Sequence, residues 1–288
     1  MQSLNFDSMA TRREILNSVK RVAEEIYPEE EALQIARMIV MWLGGISYNE
    51  LIVEPEKELI VENLEAVLQQ LRAWCPVQYI TGVAQFADME LEVAEGVLNP
   101  RPETEELVEW IAERHPVAHR IVDLCTGSGC IALALARRLS EATIRGVDIS
   151  TEALAVARRN GVRYAPHVEF VDGDVLEDMS QILGDNLDVV VSNPPYIPQR
   201  DIGAMRRNVT EYEPHVALFV PDDDPLLFYR AIARSVHDRL APRGALYFEI
   251  YEEYAEQMCE MLAVEGYAHV EVRDDFRGKP RMICAVVG

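Results

Sequence analysis

Ile121-Val122-Asp123-Leu124-Cys125-Thr126-Gly127-Ser128-Gly129-Cys130 joins a short apolar run to a segment, Ile131 to Leu139, whose apolar residues recur at helical spacing. A buried strand that passes through a glycine turn into a helix is the binding unit of an open α/β sheet, where ligands sit beyond the carboxyl ends of the strands. Gly127 and Gly129 let the backbone turn tightly and approach a ligand closely. A dinucleotide fingerprint asks for a third glycine where Ala132 stands. Alanine is tolerated there in some dinucleotide sites, so the loop alone does not choose its ligand.

Downstream, strands and helices alternate. Thr143 to Val147 reads as a strand ending at Asp148, and Ala153 to Asn160 as a helix capped by Ser150 or Thr151. Val168 to Val171 and Leu187 to Val191 read as strands. A long amphipathic helix covers Leu226 to Leu240, and Ala245 to Ile250 is a strand. Tyr254 to Glu265 is a helix, and His269 to Val287 is a closing hairpin. This alternation predicts an α/β fold with a parallel sheet covered on both faces. Three successive strand ends then carry acids. Asp148 can accept both hydrogen bonds of a ribose diol, and Asp174 falls where an adenine ring would lie. Asp123 suits a positively charged amino-acid tail better than a pyrophosphate, which favours S-adenosylmethionine over NAD.

The Val-rich strand before Asn193-Pro194-Pro195-Tyr196 ends there, because proline cannot continue a ladder. Two prolines also fix the backbone. A rigid turn has a chemical use. An amide nitrogen is a poor nucleophile, since its lone pair is delocalised into the carbonyl. The Asn193 side-chain oxygen and the Pro194 carbonyl can accept one proton each from an NH₂ group and orient it for in-line attack on a methyl sulfonium. Tyr196 can stack on a flat amide or base.

Upstream of the loop the texture differs. Ser8 to about Cys75 is helical, with apolar faces at Ile15, Val19, Val22 and Ile26, at Ala32, Ile35, Ala36, Ile39 and Val40, and at Leu64, Val67, Leu68 and Leu71. Pro28 separates the first two helices, Gly44-Gly45 ends the second, and the third runs from Leu59 to Trp74. Tyr79 to Val97 reads as a β-hairpin. The expected organisation is a helical bundle over residues 1–76, a hairpin linker over 77–100 and a catalytic α/β domain over 101–288.

The net charge of −22 argues against a nucleic-acid backbone as partner and suits a basic protein. Five cysteines, an odd count without a C-x-x-C pair, suggest neither a disulfide framework nor a zinc site, and no metal is expected. No run of about 18 apolar residues or leader pattern is present. A cytoplasmic, monomeric protein is expected.

The pieces Pro76 to Gly82, Asn99-Pro100-Arg101-Pro102-Glu103-Thr104-Glu105, Asp123 to Cys130, Asn193 to Tyr196, Tyr212-Glu213-Pro214 and Phe248-Glu249-Ile250 together resemble the HemK/PrmC family of peptide chain release factor methyltransferases. The resemblance covers nearly the whole chain. It implies a Rossmann-like class I methyltransferase domain with a seven-stranded sheet, S-adenosylmethionine as donor and S-adenosylhomocysteine as product. It implies methylation of the glutamine side-chain amide in the Gly-Gly-Gln loop of class 1 release factors, with the N-terminal bundle gripping the factor. Cys125, Thr126, Gly127, Ser128, Gly129, Asp148, Ile149, Asp174, Val175 and Asn193 would contact the cofactor beside Asp123, while Arg101 and Asn193 to Tyr196 would hold the substrate. Three positions depart from the family pattern: Cys125 where many members have glycine, Asn99 where an apolar residue is usual, and Val175 where an aromatic residue is frequent. A sister family that methylates a ribosomal-protein glutamine shares the loop; the Arg101 to Glu105 segment favours release factors. A DNA adenine methyltransferase would need a basic cleft and a flipped base. A donor-binding scaffold without activity would have no use for the intact Asn193 to Tyr196 turn.

Overall fold

The computed structural model describes residues 10–288. The expected helix start at Ser8 and the N-terminal residues read for a leader lie outside them. Two compact units form, one from residues 10–82 with Arg206–Tyr212, the other from Val83–Met205 with Glu213–Gly288.

The larger unit is built on seven strands: β1 (Arg120–Leu124), β2 (Thr143–Asp148), β3 (Glu169–Asp172), β4 (Leu187–Ser192), β5 (Leu240–Glu249), β6 (Tyr267–Asp274) and β7 (Pro280–Val287). Their order across the sheet is β6-β7-β5-β4-β1-β2-β3. β7 runs antiparallel to both neighbours, and the other pairings are parallel. The seven-stranded Rossmann-like sheet implied by the sequence is therefore present. The central strands carry short apolar runs, Ile121-Val122 in β1, Val189 to Val191 in β4 and Ala245 to Phe248 in β5, because both their faces are covered. Ile121, Val189 and Val191 pack on one side with Trp110, Leu133 and Leu135. Val122, Val190 and Leu246 alternate to the other side and meet Tyr229, Ile232 and Met258.

Two local details shape the cofactor end of this sheet. A Cβ on Gly146 in β2 would lie 2.7 Å from the Phe170 ring and 2.8 Å from Thr126 Oγ1, so only glycine lets the loop after β1 settle there. Ser150 Oγ accepts a hydrogen bond from Ala153 N at 3.1 Å, which caps the helix Thr151–Tyr164 directly after Asp148.

The segment expected as a linker divides between the units. Helix Val77–Thr81 places Val77 and Ile80 in the core of the smaller one. The hairpin Val83–Phe86 with Met89–Glu92 places Phe86, Met89 and Leu91 in the core of the larger one. Asn160 anchors the hairpin's end: it accepts from Glu92 N at 2.7 Å and donates to the carbonyls of Glu92 and Ser128 at 3.0 Å each.

The smaller unit consists of helices Arg12–Ala23, Glu29–Gly44, Tyr48–Val53, Leu64–Arg72 and Val77–Thr81 packed on their apolar faces, together with Arg207–Thr210. Capping boxes at Thr11/Glu14 and Ser47/Glu50 start two of them, and Gly45 ends the second at φ +57°. The third sequence-read helix starts later than expected. Glu58–Leu59 pairs with Ala10–Thr11 as a short antiparallel bridge, and the helix begins only after Asn63 turns left-handed. The segment Arg206–Tyr212 joins this unit through chemistry with no local signature. Arg206 pairs with Glu31 at 2.8 Å, the Arg207 guanidinium lies 5.4 Å from the Trp74 ring, and Tyr212 OH donates to the Ala73 carbonyl at 2.7 Å.

Candidate active site

β1 and β4 are neighbours, with Leu124 paired to Ser192. The glycine loop leaves the end of β1 and the Asn193 to Tyr196 turn leaves the end of β4, so two motifs far apart in sequence emerge side by side. From β1 the chain proceeds outward to β2, whereas β4 lies on its other flank. This is the switch point where α/β sheets open a crevice. Ser192 Oγ donates to the Leu124 carbonyl at 2.7 Å and ties the two exits together. A cavity with about 1140 Å³ of empty space, its open mouth included, occupies the crevice.

One end of the cavity suits a nucleoside. Asp148 Oδ2 accepts from Gly127 N at 2.8 Å and Oδ1 from Ser150 N at 2.9 Å. Each oxygen retains a lone pair, so the carboxylate can meet the two hydroxyls of a ribose. Burial raises the Asp148 pKa, while the Ser150 and Gly127 N–H groups oppose that rise. Gly127 has φ +57° with no atom within 4 Å of where a Cβ would stand, leaving its backbone open for close approach. Cys125, Thr126 and Ser128 complete this wall, and Ser128 Oγ is a buried hydroxyl without a partner. Asp174 and Val175 also line the cavity, with Val175 anchored in the core beneath. Ile149, Leu176 and Val216 remain 52%, 44% and 59% exposed beside it and offer apolar faces for a flat ring. This donor set fits the ribose and base expected for S-adenosylmethionine.

Two loop residues sit elsewhere than the sequence suggested. Asp123 is completely buried rather than facing a cationic tail. Its Oδ2 accepts from Thr126 Oγ1 at 2.5 Å and Ala132 N at 3.1 Å, so it grips the loop from below. Burial pushes its carboxyl up to about 7, against the two hydrogen bonds. Gly129 does not line the cavity. It caps the helix Cys130–Arg138 at φ +82°, where a Cβ would press to 3.0 Å on Phe170.

The other end of the cavity carries Asn193, Pro195, Arg101 and Thr104. Asn193 Nδ2 lies 3.5 Å from Thr104 Oγ1, a long contact, and Thr104 Oγ1 donates to Glu249 Oε2 at 2.5 Å. Pro194 is buried and is not part of the cavity wall. Tyr196, expected to stack on a substrate, is turned beneath the turn instead. Its hydroxyl donates to Glu249 Oε1 at 3.1 Å, and its ring stacks on Tyr251 with centroids 6.1 Å apart. Burial raises the Glu249 pKa, opposed by the Thr104 and Tyr196 hydrogen bonds. Arg101 Nη2 donates to both oxygens of Glu213 at 2.8 Å, and Glu213 is 3% exposed. Thr104, Glu213 and Glu249 lie within the sequence pieces that carry the family resemblance, yet nothing local assigns them a role. No periodicity or spacing pairs residue 104 with 249, or 101 with 213.

Among the described residues, no group of three or more His, Cys, Asp or Glu side chains is arranged to hold a metal, and no helix is long and apolar enough to cross a membrane.

Comparison with known proteins matches two stretches of the chain. Residues 14–82 match the PrmC N-terminal domain and residues 102–211 the Methyltransferase small domain. The release factor glutamine methyltransferase of Bacteroides thetaiotaomicron is 40% identical, with 93% of this chain and 97% of that protein aligned. The proteins of the same name from Flavobacterium psychrophilum and Streptococcus pneumoniae are 37% and 39% identical over 90% and 82% of this chain, and over 93% and 84% of their own lengths. With its seven-stranded sheet, its cavity at the switch point and this likeness along nearly its whole length, the chain belongs to the family of release factor glutamine methyltransferases.

Proposed function

We propose that this enzyme transfers a methyl group from S-adenosylmethionine to the side-chain amide nitrogen of the glutamine in the Gly-Gly-Gln loop of class 1 peptide chain release factors. When bound, S-adenosylmethionine supplies an electrophilic methyl group and leaves as S-adenosylhomocysteine. Asp148 and the open backbone of Gly127 hold the nucleoside. Asn193 Oδ1, on the cavity wall, accepts an N–H group of the glutamine amide and turns its nitrogen toward the methyl. Orienting a weak nucleophile is where positioning contributes most to rate. The amide proton departs to water after the new N–C bond forms, so no strong base is needed.

The observation that carries this reading is the position of Asn193 on the wall of the same cavity as Asp148 and Gly127. The names of the relatives support a release factor glutamine as the methyl acceptor. The deciding experiment incubates the protein with labelled S-adenosylmethionine and a class 1 release factor, beside a version whose Gly-Gly-Gln is Gly-Gly-Ala. Label on the first alone supports the reading. Label on neither, with donor binding confirmed, overturns the substrate assignment and moves the search to a ribosomal-protein glutamine.

A further inference from the structure

An asparagine serves as a clamp for an NH₂ group only if its oxygen, not its nitrogen, faces that group. The two ends of the side-chain amide have nearly the same shape, so something must choose between them. We propose that Thr104 and Glu249 are positioning residues that fix the Asn193 amide with its oxygen toward the cavity. This rests on the proposed amide-methyltransferase reading and deepens it.

The argument is one of donor and acceptor order. Glu249 is 1% exposed at the end of β5, one residue beyond Phe248, which pairs with Ser192 just before Asn193. Burial raises the Glu249 pKa, and the Thr104 and Tyr196 hydrogen bonds oppose that by favouring the ionised form, which only accepts. It takes the Tyr196 hydroxyl on Oε1 and the Thr104 hydroxyl on Oε2. Thr104 is 1% exposed and has spent its single proton on Glu249. Its oxygen can then only accept from Asn193, and the group 3.5 Å away is the Asn193 NH₂. The amide oxygen is left for the cavity. The sequence of bonds runs in one direction, from Asn193 to Thr104 to Glu249, with the carboxylate as its terminus. The long first contact makes the selection electrostatic rather than a tight mechanical lock.

The order reverses if the terminus can donate. In Glu249→Gln the new NH₂ can donate to Thr104, whose hydroxyl is then free to donate to Asn193 Oδ1 and turn the amide nitrogen toward the cavity. Thr104→Val removes the relay, while Thr104→Ser retains it.

The test is steady-state methylation of a class 1 release factor, with binding of S-adenosylhomocysteine measured for each variant. Thr104→Val and Glu249→Gln should lower kcat at least tenfold with product-nucleoside affinity near wild type, and Thr104→Ser should recover most of the kcat lost in Thr104→Val. Unchanged kcat in Thr104→Val and Glu249→Gln, in a preparation whose wild type methylates the factor, would overturn the proposal. So would a loss in Thr104→Val that Thr104→Ser does not recover. A wild type that methylates no glutamine defeats the underlying reading instead. If Glu249→Gln fails to fold, the two threonine variants decide the matter.

Discussion

Ser192 Oγ donates to the Leu124 carbonyl at 2.7 Å, so the glycine loop and the Asn193 to Tyr196 turn share one buried root. Ser192→Ala leaves that carbonyl without its side-chain partner, a loss of about 1–3 kcal/mol. Thermal unfolding should report the loss. Because both loops depart from this point, S-adenosylhomocysteine affinity and kcat should fall together. A variant with a lower Tm but an intact kcat and affinity would show that the two roots are independent.

Asn193, after β4, and Asp148, at the end of β2, line one cavity from either side of β1, and their loss should separate cleanly. Asn193→Ala removes the amide clamp and should lower kcat by at least about 10²-fold, with calorimetric binding of S-adenosylhomocysteine near wild type. Asp148→Ala should weaken that binding first. Near-normal turnover in Asn193→Ala would remove the clamp from the mechanism.

The contrast between these two residues and Glu249 shows where a sequence is readable. The strand before Asp123, the turns at Gly127 and Gly129 and the Pro194-Pro195 stop are all local: each signal lies within a few residues of the structure it produces. So are the alternating strands and helices, and with them the sheet. Thr104 and Glu249 are 145 residues apart and meet only because the helix Pro102–Arg114 packs against β5. Arg101 finds Glu213 across 112 residues. The burial of Asp123 was likewise invisible, since an acid that grips its own loop and one that faces a ligand occupy the same place in sequence. Arg206–Tyr212 packs with the helical bundle by an ion pair, a cation–π contact and a tyrosine hydroxyl, none of which leaves a period.

Cys125 has φ +60° at the head of the glycine loop, a left-handed conformation that costs a non-glycine residue about 1–2 kcal/mol. Glycine carries no such cost at this φ. The Cys125 side chain packs against the core that holds Val122, Val190 and Tyr229, so glycine gains backbone ease and loses a small apolar contact of similar size. Cys125→Gly should therefore change stability by no more than about 1 kcal/mol, and Cys125→Val, β-branched at positive φ, should cost more than about 2 kcal/mol. Denaturant unfolding of the pair checks this ordering.

Arg101 and Glu213 should respond unequally to truncation. Arg101→Ala leaves a carboxylate that is 3% exposed without its cation, a situation that costs about 3–5 kcal/mol. Glu213→Gln leaves the partly exposed guanidinium able to reach water and should cost less. If the second change proves the more damaging, Glu213 has a role beyond neutralising Arg101. Arg101→Ala combined with Glu213→Gln should recover part of the stability lost in Arg101→Ala alone, because the buried charge is gone.

Asp123 makes stability depend on pH in an unusual direction. Its carboxyl is pushed up to about 7 by burial, against an ordinary value of 3.8. Between those values the folded chain holds a proton that the unfolded chain has released. Folding then takes up a proton, so this group's contribution is fully present below pH 3.8, declines as pH rises, and is lost above about 7. A carboxyl that gained from ionisation would do the reverse. Asp123→Asn removes the titration while preserving the architecture: the amide oxygen can accept from Thr126 Oγ1 and Ala132 N, and the amide nitrogen takes the place of Oδ1, which has no partner to clash with. Other groups titrate equally in both proteins, so the informative quantity is the difference in Tm between variant and wild type measured from pH 5 to 8. That difference should shift in favour of Asp123→Asn as pH rises and level off above about 7. A flat difference would mean that Asp123 folds as a carboxylate, and that its unpaired oxygen carries charge beneath the donor loop.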